Sequence, residues 1–227
     1  MSFELLDEHE QGEVVRKWLR ENALSMLVGV IVGLVLIFGW QQWQAHRANR
    51  AAEAAVQFQA MADAAAANQV EDVQKIAATL REEAPNGVYA VLAAFQQADI
   101  ASAKGDLVAA GEALEWASSR AGVPAMKALA ALRLARVRLA EGDADGAIAL
   151  LDGIKGDAFA GLAGEVRGDA LVRLGRADAA RDAYQGALAH LQPQAPGRAV
   201  VQMKLDELPA APDATPESGS ETEKLGS

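Results

Sequence analysis

The side chains that could do chemistry are few, and their spacing keeps them apart. The chain has 227 residues, no cysteine and only three histidines, His9, His46 and His190. The lack of cysteine excludes disulfides, thiolate metal ligands and thiol nucleophiles. The histidines lie too far apart along the chain to share a metal ion or a catalytic triad. The glycine patterns that cradle phosphates, GxxxxGK[ST] and GxGxxG, are missing. The sequence therefore favours a protein that is not an enzyme and has no metal or cofactor site.

Carboxylates are plentiful, but they lie at predicted turns and exposed faces. Asp106 and Asp143 directly follow turn glycines, where an Asp side chain caps the next helix. The net charge of −10 is spread along the chain: six acids and three bases occur in residues 1–22, four acids and one base in residues 209–227, and the middle carries −4. Without a basic stripe, nucleic-acid binding is disfavoured. We also expect no small-molecule substrate.

An apolar segment near the N-terminus determines where the rest of the chain lies, because it is long enough to anchor the chain in a membrane. Residues 22–46 contain no charged side chain. A helix needs about 20 apolar residues to cross the ~30 Å hydrocarbon core of a bilayer. Trp18, Trp40 and Trp43 flank the segment, where amphipathic rings favour the headgroup layer. A cleaved signal peptide is disfavoured because bulky Trp residues stand where small cleavage-site residues are needed. We therefore predict an uncleaved transmembrane helix over residues 23–43.

Two properties of this helix are encoded more weakly. Three basic residues precede the segment and two follow it, which favours a cytoplasmic N-terminus. Gly29 and Gly33 are four residues apart, so they share one helix face and would let another membrane helix approach closely. The same two glycines are equally compatible with a helix that faces lipid only.

Beyond the anchor, three segments repeat one pattern around a glycine turn. The turn residues are Gly105, Gly142 and Gly175, with separations close to the ~34 residues of a tetratricopeptide repeat. The positions seven before and five after each glycine are small, and the position nine after it is large. Small residues allow the two helices of a hairpin to approach closely, and the large residue fills the gap to the next hairpin. The small positions are Ala98, Ala135, Gly168, Ala110, Ala147 and Ala180, and the large positions are Leu114, Leu151 and Tyr184.

A fourth and more degenerate copy centres on Asn68, because asparagine also tolerates a left-handed turn. A generic helical bundle with glycine caps is the alternative, but it does not explain the coincident offsets. The pattern predicts an all-α fold, with one N-terminal transmembrane helix followed by a tetratricopeptide-like helical-hairpin solenoid. Because neither Gly nor Pro occurs between Gly39 and Pro85, we expect the anchor helix to continue into the first repeat helix. Residues 198–208 are predicted to form a capping helix.

In a solenoid of this kind the first helix of each hairpin lines a surface that partners contact. The inward positions form a candidate interaction surface of Phe58, Leu92, Phe95, Asp99, Leu129, Leu132, Arg136, Leu162, Glu165, Asp169 and Arg173. Several of these are equally good core candidates. Arg136 and Asp169 differ, since a charge that faces inward needs a partner or a ligand. A structural ion pair between neighbouring repeats is the favoured interpretation, and a ligand contact is the alternative.

Several stretches, in order along most of the chain, carry a resemblance to a known family. They are Glu13-Val-Val-Arg-Lys-Trp-Leu-Arg-Glu-Asn22, Gly39-Trp-Gln-Gln-Trp43, Ala131-Leu-Arg-Leu-Ala-Arg-Val137, Leu151-Asp-Gly-Ile-Lys-Gly156, Arg167-Gly-Asp-Ala-Leu171 and Met203-Lys-Leu205. On these residues the chain resembles the YfgM family, the ancillary subunits of the SecYEG translocon in Gram-negative bacteria. The resemblance implies a single-pass inner-membrane protein with a cytoplasmic N-terminus and a periplasmic tetratricopeptide-like domain.

The resemblance also implies partners, namely the SecYEG translocon and the periplasmic chaperone PpiD, and a role in handling proteins as they emerge from the channel. It implies no catalytic residues and no cofactor. The expected organisation is a cytoplasmic leader (1–22), a transmembrane helix (23–43), a periplasmic repeat domain (44–208) and a disordered acidic tail (209–227). Two other classes remain open: a scaffold of another envelope complex, and a membrane-anchored regulator that acts through its acidic cytoplasmic leader.

Overall fold

A computed structural model describes the backbone of residues 7–209 and the side chains of residues 16–157 and 159–209. The first six residues of the predicted leader and the predicted tail from residue 210 onward lie outside the described residues. The chain divides into two compact units, Met1–Val56 and Gln57–Ser227.

The first unit contains most of one long helix. Helix α1 extends over Asp7–Ala66, and the predicted transmembrane segment lies inside it with its side chains exposed. Between Arg16 and Ala66 this helix includes a window long and apolar enough to cross a membrane, and none of that window is buried. The predicted helical continuation beyond the apolar segment is confirmed, since no Gly or Pro interrupts the backbone hydrogen bonds there.

The second unit begins with the last residues of α1 and continues through short helices joined by tight turns. No strand occurs between residues 57 and 209, so the predicted all-α fold is confirmed for this part of the chain. The helices are α2 (Val70–Glu83), α3 (Val88–Ala103), α4 (Leu107–Arg120), α5 (Pro124–Glu141), α6 (Ala144–Asp152), a 3₁₀ helix (Asp157–Phe159), α7 (Ala160–Arg173), α8 (Ala177–His190) and α9 (Pro196–Asp206).

Four hairpin turns share one backbone geometry. The turn residues Gly105, Gly142 and Gly175 have φ of 77°, 92° and 71°, and Asn68 has φ of 56°. In every turn the next residue donates its backbone N–H to the carbonyl five positions earlier, at 2.9 Å. This bond satisfies a carbonyl that the end of the helix would leave unpaired. The predicted glycine turns and the degenerate fourth copy at Asn68 are therefore confirmed.

The small and large positions of the repeat form the core. All six predicted small positions are buried, and the large positions Leu114, Leu151 and Tyr184 are only 2–3% exposed. The buried residues group into clusters shared by successive helices, one across α3, α4 and α5, and the next across α5, α6 and α7. Each hairpin thus buries its apolar face against its neighbours, as a stacked repeat requires.

Helix α9 covers the last hairpin. Its Val201 is fully buried in a cluster with Leu171, Tyr184 and Ala187, and Leu205 packs against the same cluster. The predicted capping helix is confirmed. Without it, the apolar face of α8 would be open to solvent.

Candidate interaction surface

Charged side chains on the first helices of the hairpins and on the capping helix α9 form ion pairs between helices, which we call together the first-helix network. It consists of Asp99 on α3, Arg133 and Arg136 on α5, Glu165 and Asp169 on α7, and Lys204 on α9. Three acids face three bases, so the network is electrically balanced. The favoured ion-pair interpretation of Arg136 and Asp169 therefore has direct support, although these two residues do not pair with each other.

The pairs follow a constant stagger between successive helices. Asp99 and Arg136 both lie six positions before their turn glycines. The partner of Asp99 is Arg133, at 3.2 Å, and the partner of Arg136 is Glu165, at 4.0 Å. Arg133 lies three positions further from its own turn glycine than Asp99 does, and Glu165 lies four positions further than Arg136 does. Three to four residues make one helical turn, so neighbouring first helices are offset by about one turn.

Lys204 is the most highly connected cation of the network. Its Nζ donates to Glu165 Oε1 at 2.8 Å and to Asp169 Oδ2 at 2.7 Å. Burial lowers the pKa of Lys204, but the two hydrogen-bonded carboxylates outweigh burial and raise the pKa above its ordinary value. The ammonium group therefore holds α9 on α7 at every physiological pH.

The second oxygen of Asp169 is held by a phenol. Tyr184 donates its hydroxyl to Asp169 Oδ1 at 2.7 Å. Burial and the neighbouring carboxylate raise the pKa of Tyr184 well above its ordinary value. Tyr184, Asp169 and Lys204 thereby link α8, α7 and α9 through a single carboxylate.

The predicted apolar residues divide between the core and its margin. Phe95 and Leu132 are 5% and 1% exposed and belong to the core clusters, because they occupy the side of their helices that faces the next hairpin. Arg133 stacks on the ring of Phe95, with 5.0 Å between its guanidinium carbon and the ring centroid. Leu92 and Leu129 are half-buried against the first cluster, and Leu162 is half-buried against the second.

The remaining predicted residues stand apart from the network. Phe58 is half-buried, with its ring centroid 5.6 Å from that of Tyr89. Arg173 is exposed on the last turn of α7. Gly29 and Gly33 belong to α1 in the first unit, and nothing lies within 4 Å of a Cβ built on either of them.

Sequence reasoning missed Arg133, Lys204 and Tyr184 as members of the network. A signal for Arg133 exists, since it follows Asp99 by 34 residues, about one repeat length. Lys204 carries no comparable signal, because α9 lies outside the repeat register. Among the side chains of residues 16–157 and 159–209, no three His, Asp or Glu residues converge as a metal-binding group.

Comparison with known proteins places this architecture among related chains. A family described as "Tetratricopeptide repeat-like domain" matches residues 16–210. The chain is 30% identical over 206 residues to the "Ancillary SecYEG translocon subunit" of Escherichia coli (strain K12), covering 89% of this chain and 97% of that protein. It is 27% identical over 187 residues to the protein of the same name from Haemophilus influenzae, covering 82% and 91%. The protein of that name from Aggregatibacter actinomycetemcomitans is 26% identical over 185 residues, with 80% and 89% covered.

Proposed function

Because the chain belongs to the YfgM family of ancillary SecYEG translocon subunits, we propose that it associates with the SecYEG translocon as a non-enzymatic, membrane-anchored adaptor. The observation that carries the proposal is collinearity. The family match spans residues 16–210, and the alignment to the Escherichia coli relative spans 97% of that protein, so the likeness covers the apolar helix as well as the repeats of this chain.

The proposed topology has residues 1–22 in the cytoplasm, residues 23–43 across the inner membrane and residues 44–208 in the periplasm, followed by the acidic tail 209–227. The excess of basic residues before the apolar segment supports this orientation. A C-terminal alkaline phosphatase fusion tests it, because this enzyme is active only outside the cytoplasm. A stable but inactive fusion would overturn the periplasmic placement and the chaperone role with it.

In the periplasm the repeat domain is proposed to bind proteins that emerge from the channel, together with the chaperone PpiD. The exposed and half-buried side chains of the first helices are the proposed contact surface, with Phe58, Leu92, Asp99, Leu129, Arg136, Glu165, Asp169 and Arg173 as its members. Phe95 and Leu132 support that surface from below. Since the first-helix network is electrically balanced, the surface carries no large net charge, and apolar contact together with local charge complementarity selects its partners.

Co-purification from detergent-solubilised membranes tests the partners. We expect SecY and PpiD to be the leading proteins recovered with the full-length chain. Recovery of another envelope complex in their place would favour the scaffold alternative. If removal of the leader abolished the handling of emerging proteins and left SecY binding intact, the regulator alternative would be favoured.

A pair of matched variants locates the contact surface. Arg173→Glu reverses an exposed charge on a first helix, and Arg120→Glu reverses an exposed charge on the second helix of another hairpin. We expect Arg173→Glu to reduce recovery of PpiD and Arg120→Glu to leave it unchanged. The opposite result would place the contact surface on the second helices.

Gly29→Leu and Gly33→Leu test the proposed contact of the membrane helix, and we expect them to reduce recovery of SecY.

A further inference from the structure

The C-terminal end of the membrane segment carries an aromatic and basic cluster, which we call the Trp–Arg cluster. Its members are Trp40, Trp43, His46, Arg47 and Arg50. At about 100° per residue these five side chains fall within roughly 120° of the helix circumference. One face of α1 therefore carries both tryptophans and every basic or imidazole side chain of this end.

The side chains of the cluster contact one another. The ring centroids of Trp40 and Trp43 are 5.1 Å apart. The guanidinium carbon of Arg47 lies 4.8 Å from the ring centroid of Trp43. A guanidinium group stacked on an aromatic face keeps the N–H donors of its edge free. Arg47 is thus oriented to bind a planar or tetrahedral oxyanion.

The second arginine is directed back toward the membrane segment. Arg50 donates from Nε to His46 Nε2 at 3.0 Å. This bond requires an unprotonated Nε2, so the neutral imidazole carries its proton on Nδ1 and can donate it elsewhere. Side chains of a helix lean toward its N-terminus, which brings the Arg50 head group toward the level of Arg47.

The charge around the cluster is complementary to an anion. Residues 22–52 contain two arginines and no acid, within a chain of net charge −10. Glu53 is the next acid, and no ion pair joins it to Arg47 or Arg50 among the described side chains. Arg47 lies about 6 Å along the helix axis beyond Trp43, a distance that matches the thickness of about 5–8 Å of each headgroup layer.

We propose that the Trp–Arg cluster is a binding site for the phosphate of an anionic phospholipid. Arg47 and Arg50 bind the phosphate oxygens, the His46 Nδ1–H donates a further bond, and the two indole rings contact the glycerol and upper acyl region. The opposite end of the segment differs, because Arg16 and Arg20 lie on the side of α1 away from Trp18, and only Lys17, about 100° from the single tryptophan, lies nearer to it. That end therefore has no arginine on the side of its tryptophan.

Fluorescence of the full-length chain in nanodiscs tests the proposal. A Trp18→Phe background removes the tryptophan at the other end of the segment. Quenching is then measured with phosphatidylglycerol or phosphatidylcholine brominated in the acyl chains near the headgroup. For one to two arginines we expect an enrichment of phosphatidylglycerol of roughly five- to thirty-fold. If both brominated lipids quench the tryptophan fluorescence of the Trp18→Phe chain equally, the proposal is overturned.

Two double variants separate the site from general electrostatic attraction. Arg47→Gln with Arg50→Gln should abolish the preference for phosphatidylglycerol, while Arg16→Gln with Arg20→Gln, the matched control, should leave it intact. An equal loss in both variants would overturn the proposal, since it would show an unspecific attraction. Unchanged helix content and unchanged quenching by phosphatidylcholine would show that the first double variant still inserts. If it does not insert, the single variant Arg47→Gln replaces it, and this variant must reduce the preference for phosphatidylglycerol about five-fold.

A soluble anion and an acidic protein surface are the other ligands that could compete for the arginines. Inorganic phosphate at millimolar concentration should not displace the lipid, because the acyl chains hold the headgroup at the site. Displacement would assign the site to a free oxyanion and overturn the lipid proposal. Because lipid quenching needs no translocon, the result is independent of whether the chain binds SecYEG.

Discussion

The ring of Tyr184 packs directly on the backbone of Gly168, so closely that a Cβ on Gly168 would overlap the ring carbons. The equivalent pairs of the two preceding repeats are Ala98 with Leu114 and Ala135 with Leu151. In the last repeat a larger side chain on the second helix is thus matched by a smaller one on the first. The exchange also places the tyrosine hydroxyl 2.7 Å from Asp169.

We expect Gly168→Ala to destabilise the protein, although alanine is the better helix former by about 1 kcal/mol. Overpacking against the ring costs about 1–3 kcal/mol, and the overlap of a Cβ with the ring carbons places the cost toward the upper end, which leaves a net loss of up to about 2 kcal/mol in the free energy of unfolding. Urea denaturation of the full-length chain in mild detergent, followed by far-UV circular dichroism, measures it. Gly186→Ala is the control, because nothing lies within 4 Å of its Cβ position, and it should be neutral or stabilising.

The same change in a Tyr184→Leu background restores the Ala and Leu pair of the other repeats. There we expect Gly168→Ala to cost nothing or to stabilise. A double-mutant coupling of about 1–3 kcal/mol would result, since the helix-propensity gain is common to both backgrounds and only the overpacking cost differs. An equal cost in both backgrounds would show that the Tyr184 ring is not the cause of the loss.

Helix α8 lacks the side-chain cap that α4 and α6 possess. Asp106 and Asp143 accept from the backbone N–H three residues later, at 3.0 and 2.8 Å, whereas Arg176 makes no such bond. The backbone angles of all three are similar. Arg176→Asp should therefore stabilise the protein by about 1 kcal/mol, because the exposed pair of Arg176 with Asp145, at 4.0 Å, contributes little. Thermal unfolding checks this, with Arg176→Ala as the control that adds no cap, and an unchanged midpoint for Arg176→Asp would contradict it.

The repeat register was predictable because it rests on local chemistry. A left-handed turn is tolerated by few residue types, and the four turns at Asn68, Gly105, Gly142 and Gly175 all have positive φ. A small residue at a fixed offset from such a turn faces the neighbouring helix wherever the hairpin is formed. These features depend on residues within one repeat, so the sequence alone contains them.

The pairing of charges was not predictable from the same pattern. The residues six positions before the turn glycines, Asp99, Arg136 and Asp169, alternate in sign, and simple register would pair them with one another. The offset of one helical turn between first helices directs Asp99 to Arg133 and Arg136 to Glu165 instead. That offset is set by how large side chains of different repeats pack together, a property that no single repeat encodes.

Replacing Lys204 should loosen the capping helix. Lys204→Met leaves Glu165 and Asp169, whose side chains are 15% and 30% exposed, without their shared cation. We expect a loss of about 1–3 kcal/mol in the free energy of unfolding, since partly desolvated carboxylates that lose their nearest cation are costly. Hydrogen exchange of the α9 amides measures the local effect, and denaturation measures the global one.

Two further variants keep this prediction open to refutation. Lys127→Met removes an exposed lysine of α5 that joins no ion pair among the described side chains, and it should change stability by less than about 0.5 kcal/mol. Adding Glu165→Gln and Asp169→Asn to Lys204→Met should recover part of the loss. If Lys204→Met and Lys127→Met behave alike, the cation does not hold the cap.

Alkaline pH should destabilise the protein through Tyr184 and Lys204. The pKa of Tyr184 is raised in the folded state by burial, by its hydrogen bond to Asp169 and by the charge of that carboxylate. The pKa of Lys204 is also raised, because its two carboxylate partners outweigh burial. A raised pKa in the folded state stabilises below the ordinary pKa, and this stabilisation is lost as pH rises through the folded value.

We therefore expect the free energy of unfolding to be unaffected by these groups up to about pH 10, the ordinary range of tyrosine and lysine. Above it the free energy should fall by up to about 1.4 kcal/mol per pH unit for each group, since the folded state binds more protons than the unfolded one. Denaturation curves between neutral pH and pH 11 measure the slope. Tyr184→Phe should reduce the slope, whereas Tyr89→Phe, which removes the second of the two tyrosines, should not. A slope that Tyr184→Phe leaves unchanged would mean that the phenol ionises as readily in the folded protein as in the unfolded chain.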